Sequence, residues 1–531
     1  MCKIMSTSQT IRSVVIVGGG TAGWLTAAIV AAEHRGNSDQ RKDTESLISV
    51  TLIESPEIST IGVGEGTWPS MRTTLKKIGI SETELFRECD ASFKQGTLFR
   101  RWRNGKDDIY THPFTVPHGY ENTNLAPHWQ LFREKVDFAQ AVSSQNSLML
   151  AGLAPKQIVT PEYGFHVNYG YHLDAVKFAK LLQKHCVEKL GVIHHSAKVV
   201  QVNSDSDNYI VSLDTDVDTT VSGDLFVDAS GSRSLLLGKH YGIAFHSKKQ
   251  FLFNDTGLAS QVPYVNEDDP IASSTLSTAQ KNGWIWDIGL PSRRGIGHVY
   301  SSSHTTEERA TEELLNYIAD TISPQTAAKT SVRKVNFEPG HRAEFWHKNC
   351  VAVGMSAGFI EPLEASALVL VELSAAMISE QLPENRHVMK IIAKRFNQKF
   401  LYRWERIIDF LKLHYILTQR NDSDYWKDNQ MTDSIPFSIA EALDLWKWQS
   451  PWHQDTMRAD EMFPSASYQY ILYGMNFETK QCTERSSSRD GSLASKRLFL
   501  ENIKRTEMLV SSMPTNRILI DKIKAYGLQK I

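Results

Sequence analysis

The chain has 531 residues, more than one hydrophobic core usually organises, so two or more structural modules are expected. Its 58 Lys and Arg against 60 Asp and Glu leave a formal net charge of −2, which excludes an electrostatic case for nucleic acid or an anionic membrane and points to small-molecule ligands. Five scattered cysteines fit neither a disulfide framework nor a metal site, no stretch reaches roughly 18 unbroken apolar residues, and Met1 to Arg12 has no signal-peptide core, so a reduced, cytoplasmic, membrane-free setting is expected.

The β-branched run Ser13 to Val17 reads as a strand buried on both faces, as in a parallel sheet. It runs into Gly18-Gly19-Gly20-Thr21-Ala22-Gly23, then a helical run from Trp24 to Glu33, a polar insert from Asn37 to Ser46, and a second strand from Ile48 to Ile53 that ends at Glu54. This is a βαβ unit with a stretched crossover. Leu173 to Leu190 has helical spacing, and Val199 to Val202 with Tyr209 to Leu213 suggests a hairpin. The strand Leu225 to Val227 closes on Asp228-Ala229-Ser230-Gly231. The Ser/Thr-rich segments Asp268 to Thr278 and Ser301 to Thr306 read as loops flanking a strand over residues 284 to 288, whose period of two puts Trp284, Trp286 and Ile288 on one face, where they fill core. From Asn385 to Leu417 the apolar spacing predicts one long amphipathic helix, and the C-terminal third is mainly helical apart from a loop at Thr483 to Ser492.

A lone G-x-G-x-x-G is weak, but Gly18, Gly20 and Gly23 follow a strand and open a helix. Gly18 permits the tight turn, Gly20 lets backbone approach a pyrophosphate, Gly23 allows close helix packing, and the helix N-terminus offers N–H groups to phosphate. Glu54 is placed to accept from a ribose; its spacing exceeds the usual separation of about 20 residues because of the polar insert. Residues alone do not choose between FAD and NAD.

Several segments together resemble the flavin-dependent tryptophan halogenases. Asp224 to Gly231 and Val353 to Gly358 look like return-strand motifs of the flavin monooxygenase fold; Gly62 to Pro69 resembles G-V-G-E-A-T-x-P, with Gly66 where alanine is usual; Ala91 to Lys94 resembles the segment carrying a catalytic lysine. Gly283 to Ile288 resembles the start of W-x-W-x-I-P, with Gly289 in place of proline, and Gly358 to Ser366 resembles G-F-x-E-P-L-E-S-T. The resemblance implies an α/β fold: an FAD-binding, flavin-monooxygenase-like Rossmann-type module with a largely helical C-terminal module. The expected divisions are 1–110 and 161–380 for the FAD-binding module, 111–160 for a substrate-pocket insertion, and 381–531 for the helical module.

It also implies roles. FAD, as FADH2, would contact Gly18, Gly20, Thr21, Ala22, Gly23, Glu54, Gly64, Glu65, Val199, Asp228, Gly354, Met355 and Leu368. Reduced flavin and O2 would oxidise chloride or bromide, held by the backbone N–H groups of Ser366 and Ala367, and the halogen would pass through a tunnel to the substrate. Lys94 would hold the halogen species, while Glu364 would align it or remove the ring proton. Trp284 and Trp286 would keep the organic substrate from the flavin, and His112, Phe114, Tyr468 and Gln469, the last replacing a tyrosine, would contact tryptophan or another electron-rich, indole-like aromatic. Read without the resemblance, Lys94 is a solvated charge on an amphipathic helix, Glu364 stabilises a helix N-terminus, and His112 and Tyr468 are packing residues. A separate flavin reductase is expected as partner, because no second dinucleotide fingerprint is present, and relatives suggest a homodimer. The rival readings are a flavin-dependent aromatic monooxygenase and a non-catalytic flavin-binding relative; retention of Lys94, Glu364, Trp284 and Trp286 weighs against both.

Overall fold

The structure, a computed structural model, describes residues 10–34, 48–57, 64–456, 458, 461–480 and 489–530. The polar insert 37–46, Gly62, Val63 and the first part of the expected loop at Thr483 fall outside those residues; from Arg489 onward that loop is instead the start of a helix, Arg489–Ser512.

Val14 to Val17 are all at most 4% exposed, as a strand covered on both faces requires. That strand, Ser13–Val17, lies between Leu225–Asp228 and Ser49–Glu54, parallel to both, with Val17 opposite Asp228 and Ile53. Cys350–Ala352 and Ile193–Ser196 extend the sheet in parallel, and Trp346–His347 closes one edge antiparallel. Strands drawn from residues 13–54, 193–228 and 346–352 make this layer discontinuous in sequence. The helix Thr21–His34 covers it and packs against helices Ala175–Lys189 and Ser366–Glu380.

The tryptophan segment is a strand, Gly283–Gly289, inside a seven-stranded sheet whose order is Arg333–Asn336, Thr256–Pro263, Arg293–Tyr300, Gly283–Gly289, Thr275–Ala279, Gly96–Arg100 and Ile109–Pro113. Side-chain alternation splits it as expected: Trp284 enters the main core, and Ile285 enters a second core beneath helix Glu307–Thr321. The expected loop 268–278 needs correction, because its end is the strand Thr275–Ala279, paired with both neighbours. Threonine suits a pleated, half-buried surface as well as a loop, and cross-strand packing decided the outcome. Likewise, Leu173 belongs to the strand Gly170–Asp174; the helix starts only at Ala175, where the Asp174 carboxylate caps Val176 and Lys177 N–H at 3.0 Å.

Lys94 is not on a helix. It ends the strand Ser92–Lys94, which pairs with Gly170–Asp174, as Gly64–Gly66 does on the other side. Behind this small sheet the buried Glu82 accepts from Tyr169 OH at 2.5 Å, Tyr171 OH at 2.8 Å and Lys156 Nζ at 2.6 Å. Lys156→Met strands an uncompensated buried carboxylate, so a loss of about 3–5 kcal/mol is expected in a urea titration followed by far-ultraviolet circular dichroism. A wild-type midpoint would show that Glu82 is not held as an ion pair.

The expected long helix is Arg386–Ile416, capped by the Asn385 side chain at 3.0 and 3.1 Å. Helices Asp424–Asp428, Phe437–Trp446, Ser465–Gly474, Arg489–Ser512 and Asn516–Tyr526 follow. Among the described residues no helix is long and apolar enough to cross a membrane.

Candidate active site

Two centres emerge, and one chain segment joins them. The first is a cavity of about 510 Å³ at the C-terminal ends of the parallel strands, the position where open α/β sheets hold ligands. Gly18, Gly20, Thr21, Ala22, Glu54, Glu65, Val199, Gly354, Met355, Ser366, Ala367 and Leu368 all line it. At Gly18 φ is +123° and a Cβ would fall 2.2 Å from the Ala229 carbonyl oxygen, so backbone and space both demand glycine. A Cβ on Gly20 would meet nothing within 4 Å, which leaves the turn open toward the cavity.

A dinucleotide fits these donors. The first-turn N–H groups of helix Thr21–His34 have no intrahelical partners and face the turn. Glu54 stands at the strand end with His194 Nε2 3.3 Å from its carboxylate. Glu65 Oε2 is buried with no partner among the described residues, and burial, aided by the Asp174 carboxylate, lifts the group to about 7. Such a carboxyl suits an N–H or O–H of a bound ring. Gly18→Ala is expected to abolish binding of FAD in a fluorescence titration, whereas unchanged affinity would show that the turn does not build the site.

Three residues of the expected cofactor set do not line the cavity. Gly23 lies under the turn, where a Cβ would sit 1.8 Å from the Gly18 carbonyl oxygen; Gly64 packs against Ile288. Asp228 is fully buried behind the wall, where its carboxylate accepts from Ser230 OH at 2.6 Å and from the N–H groups of Leu236 and Leu237 at 2.9 and 2.8 Å. It shapes the loop that does line the cavity.

The second centre is built on Lys94 and Glu364, which are 1% and 4% exposed. Lys94 Nζ lies 5.4 Å from the centre of the Phe114 ring, and among the described residues no hydrogen-bond acceptor reaches it. Burial brings the ammonium down to about 8, with Glu364 opposing the shift. A Cβ on Gly66 would come within 3.0 Å of Nζ, so glycine at this position widens the space around the amine.

Glu364 Oε1 sits between two imidazoles, His112 Nδ1 at 3.1 Å and His414 Nε2 at 3.3 Å. Burial raises its pKa, but His112 and His414 outweigh burial and hold the carboxyl at about 2. The chain extends through His112 Nε2 to Ser467 Oγ at 2.9 Å and through His414 Nδ1 to Tyr110 OH at 2.8 Å. Ala365, at φ +54°, turns the backbone sharply between Glu364 and the helix Ser366–Glu380, and Trp68 Nε1 donates to the Glu364 carbonyl at 2.8 Å. Glu364 therefore faces away from the cavity while Ser366 and Ala367, two and three residues on, line it with N–H groups of a helix N-terminus.

Trp284 and Trp286 stand 6.4 Å apart in edge contact, and neither lines the cavity; Trp284 reaches it through Glu361, which does. Tyr468 packs edge-on against Phe410, itself 5.6 Å from the His112 ring. Gln469 is spent elsewhere: its amide donates to Asn124 Oδ1 at 3.1 Å and to the Pro451 carbonyl at 2.6 Å, which ties two loops together.

His414, Tyr110, Ser467 and Trp68 were not anticipated. For His414 a signal existed, because it continues the stripe Trp404, Ile407, Leu411 at helical spacing, and a histidine on an apolar stripe needs a partner.

Comparison with known proteins gives matches along most of the chain. The family model described as tryptophan halogenase matches residues 13–490. The chain is 29% identical over 542 residues to tryptophan 6-halogenase ThaL of Streptomyces albogriseolus, with 97% of this chain and 98% of that protein covered. It is 31% identical over 457 residues to tryptophan 7-halogenase RebH of Lentzea aerocolonigenes, covering 83% and 82%. The crystal structure of a tryptophan halogenase from Shewanella frigidimarina NCIMB 400 superimposes with a TM-score of 0.95 at 49% identity, over 98% of this chain and 99% of that one.

Proposed function

The chain belongs to the tryptophan halogenase family, and from that premise we propose that it is an FADH2-dependent enzyme that uses O2 and chloride or bromide to halogenate tryptophan or another electron-rich, indole-like aromatic. The observation that carries this reading is the segment 358–367, which lines the dinucleotide cavity at both ends and between them turns Glu364 into a separate buried site with Lys94.

Bound reduced flavin supplies the activation of O2 that oxidises the halide. The residues of the chain do the rest. Ser366 and Ala367 present helix N-terminal N–H groups to the halide, a task that backbone donors perform without a particular side chain. Lys94 is mainly an ammonium at neutral pH and has unspent donors to hold the oxidised halogen beside the ring. Glu364 is ionised throughout the working range and takes the proton released from the ring, with the imidazoles of His112 and His414 at its Oε1 to accommodate the charge change. Phe114, whose ring faces Lys94 Nζ at 5.4 Å, and His112, bonded to Glu364, are the aromatic groups beside the pair against which a flat substrate would stack. Reduced flavin comes from a separate reductase.

Purified protein with a flavin reductase, NADH, O2 and bromide or chloride is expected to convert indole or tryptophan to monohalogenated product. A broad aromatic panel yielding only hydroxylated products, indifferent to halide, would favour a monooxygenase and overturn the proposal.

A further inference from the structure

Glu361 has no part in the chemistry described above, yet it is a buried, heavily engaged carboxylate on the cavity wall. It is 1% exposed, and one oxygen, Oε2, accepts three hydrogen bonds from three elements: Trp284 Nε1 at 2.6 Å, Asn254 Nδ2 at 2.6 Å and Tyr415 OH at 2.8 Å. Asn254 is fixed in turn by Tyr425 OH at 3.0 Å. The other oxygen, Oε1, is buried without a partner among the described residues. The nearby Lys412 Nζ donates to Asn429 Oδ1 at 2.8 Å.

An indole N–H in a dry core must find an acceptor, and a carboxylate is the strongest one available. Trp284 is fully buried in the main core, where its ring meets Trp102 at 6.3 Å and Trp286 at 6.4 Å, and the carboxylate of Glu361 is the acceptor that fixes its N–H. Glu361 sits on the cavity-lining run and precedes Glu364 by three residues. One carboxylate thus couples the orientation of the indole to the segment that bears both the halide donors and Glu364.

We propose that Glu361 is a positioning residue that locks the Trp284 indole and thereby sets how much of the oxidised halogen reaches Lys94 rather than being lost. The proposal rests on the halogenase reading. Loss of the clamp removes the acceptor that fixes the indole and lowers halogenated product per O2 consumed without removing a group that touches the reacting atoms.

The test uses the full chain loaded with FAD and labelled with 15N at its indoles, as wild type, Glu361→Leu, Glu361→Gln and Trp284→Phe. The Trp284 resonance is the one missing from Trp284→Phe. In Glu361→Leu its N–H proton is expected to move upfield, and product per O2 to fall by up to about a hundredfold, the scale of effect that a displacement near 1 Å brings. Glu361→Gln, which keeps an oxygen acceptor, should return both readouts most of the way. The double variant Glu361→Leu with Trp284→Phe should be no worse than the worse single one, as groups acting through one contact are not additive. An unmoved Trp284 resonance in Glu361→Leu, or wild-type product per O2, overturns the proposal. If Glu361→Leu does not fold, Trp284→Phe decides alone, and wild-type coupling there overturns it. If the wild type halogenates nothing, the halogenase reading fails and the indole shift still tests the clamp.

Discussion

Lys94→Ala is expected to lower kcat/KM for halogenation by about 10²–10³-fold, the cost of removing one preorganised donor from a water-excluded site. FAD affinity should be unchanged, because Lys94 does not line the dinucleotide cavity, and O2 consumption should continue with little product. The variant should fold, since Lys94 Nζ has no hydrogen-bond partner among the described residues to leave stranded, and burying an alanine in place of an ammonium removes a desolvation cost. The wild-type pH profile gives a second check. Burial lowers the amine to about 8, so the ammonium form predominates below that pH and is lost above it. If the ammonium holds the halogen, rate falls as pH rises through about 8. A rate that rises there would show that the free amine is the working form.

Glu364→Gln is expected to reduce turnover by about 10²–10⁴-fold, the range for losing a positioned general base, with a smaller effect on KM. The amide keeps the shape of the side chain, and the backbone contact from Trp68 to the residue-364 carbonyl remains. Because His112 and His414 hold the carboxyl at about 2 against the pull of burial, Glu364 stays ionised down to low pH, and any acid limb of the activity profile above about 4 belongs to another group. Stability carries the same sign. A folded-state pKa depressed below the ordinary value of 4.5 contributes stability that is present above 4.5 and lost as pH falls toward 2. Urea midpoints measured from pH 5 to pH 3 should therefore fall more steeply for wild type than for Glu364→Gln. Parallel slopes would show that the imidazoles do not stabilise the carboxylate.

Local pattern carried much of the fold. The unalternating Val14 to Val17, the glycine turn, Glu54 and the capped helix at Asn385 were legible because each depends on neighbours within a few residues, through backbone sterics, strand period or capping. The proposed halide donors, Ser366 and Ala367, and the proposed joint role of Lys94 and Glu364 come only from the resemblance of short segments. Nothing in residues 91–94 by themselves separates a buried strand from a surface helix, and the helical alternative for Lys94 was wrong because Gly170 and His172 pair with that segment from a distance in sequence. The same holds for Thr275 to Ala279, whose strand conformation is imposed by Gly96–Arg100 and Gly283–Gly289.

By itself, then, the sequence determined the strand and turn at the first cavity and the helical C-terminal third, since those rest on local conformational preference and residue type. Only the tertiary structure decided the environments. That Glu364 lies between His112 and His414, that Gln469 is consumed by Asn124 and Pro451, and that Trp284 ends on Glu361 are contacts between residues 18 to 345 positions apart. Desolvation and hydrogen-bond partners in a closed core follow from which chain segments meet there, and that information is spread over the whole molecule rather than written beside any one of those residues.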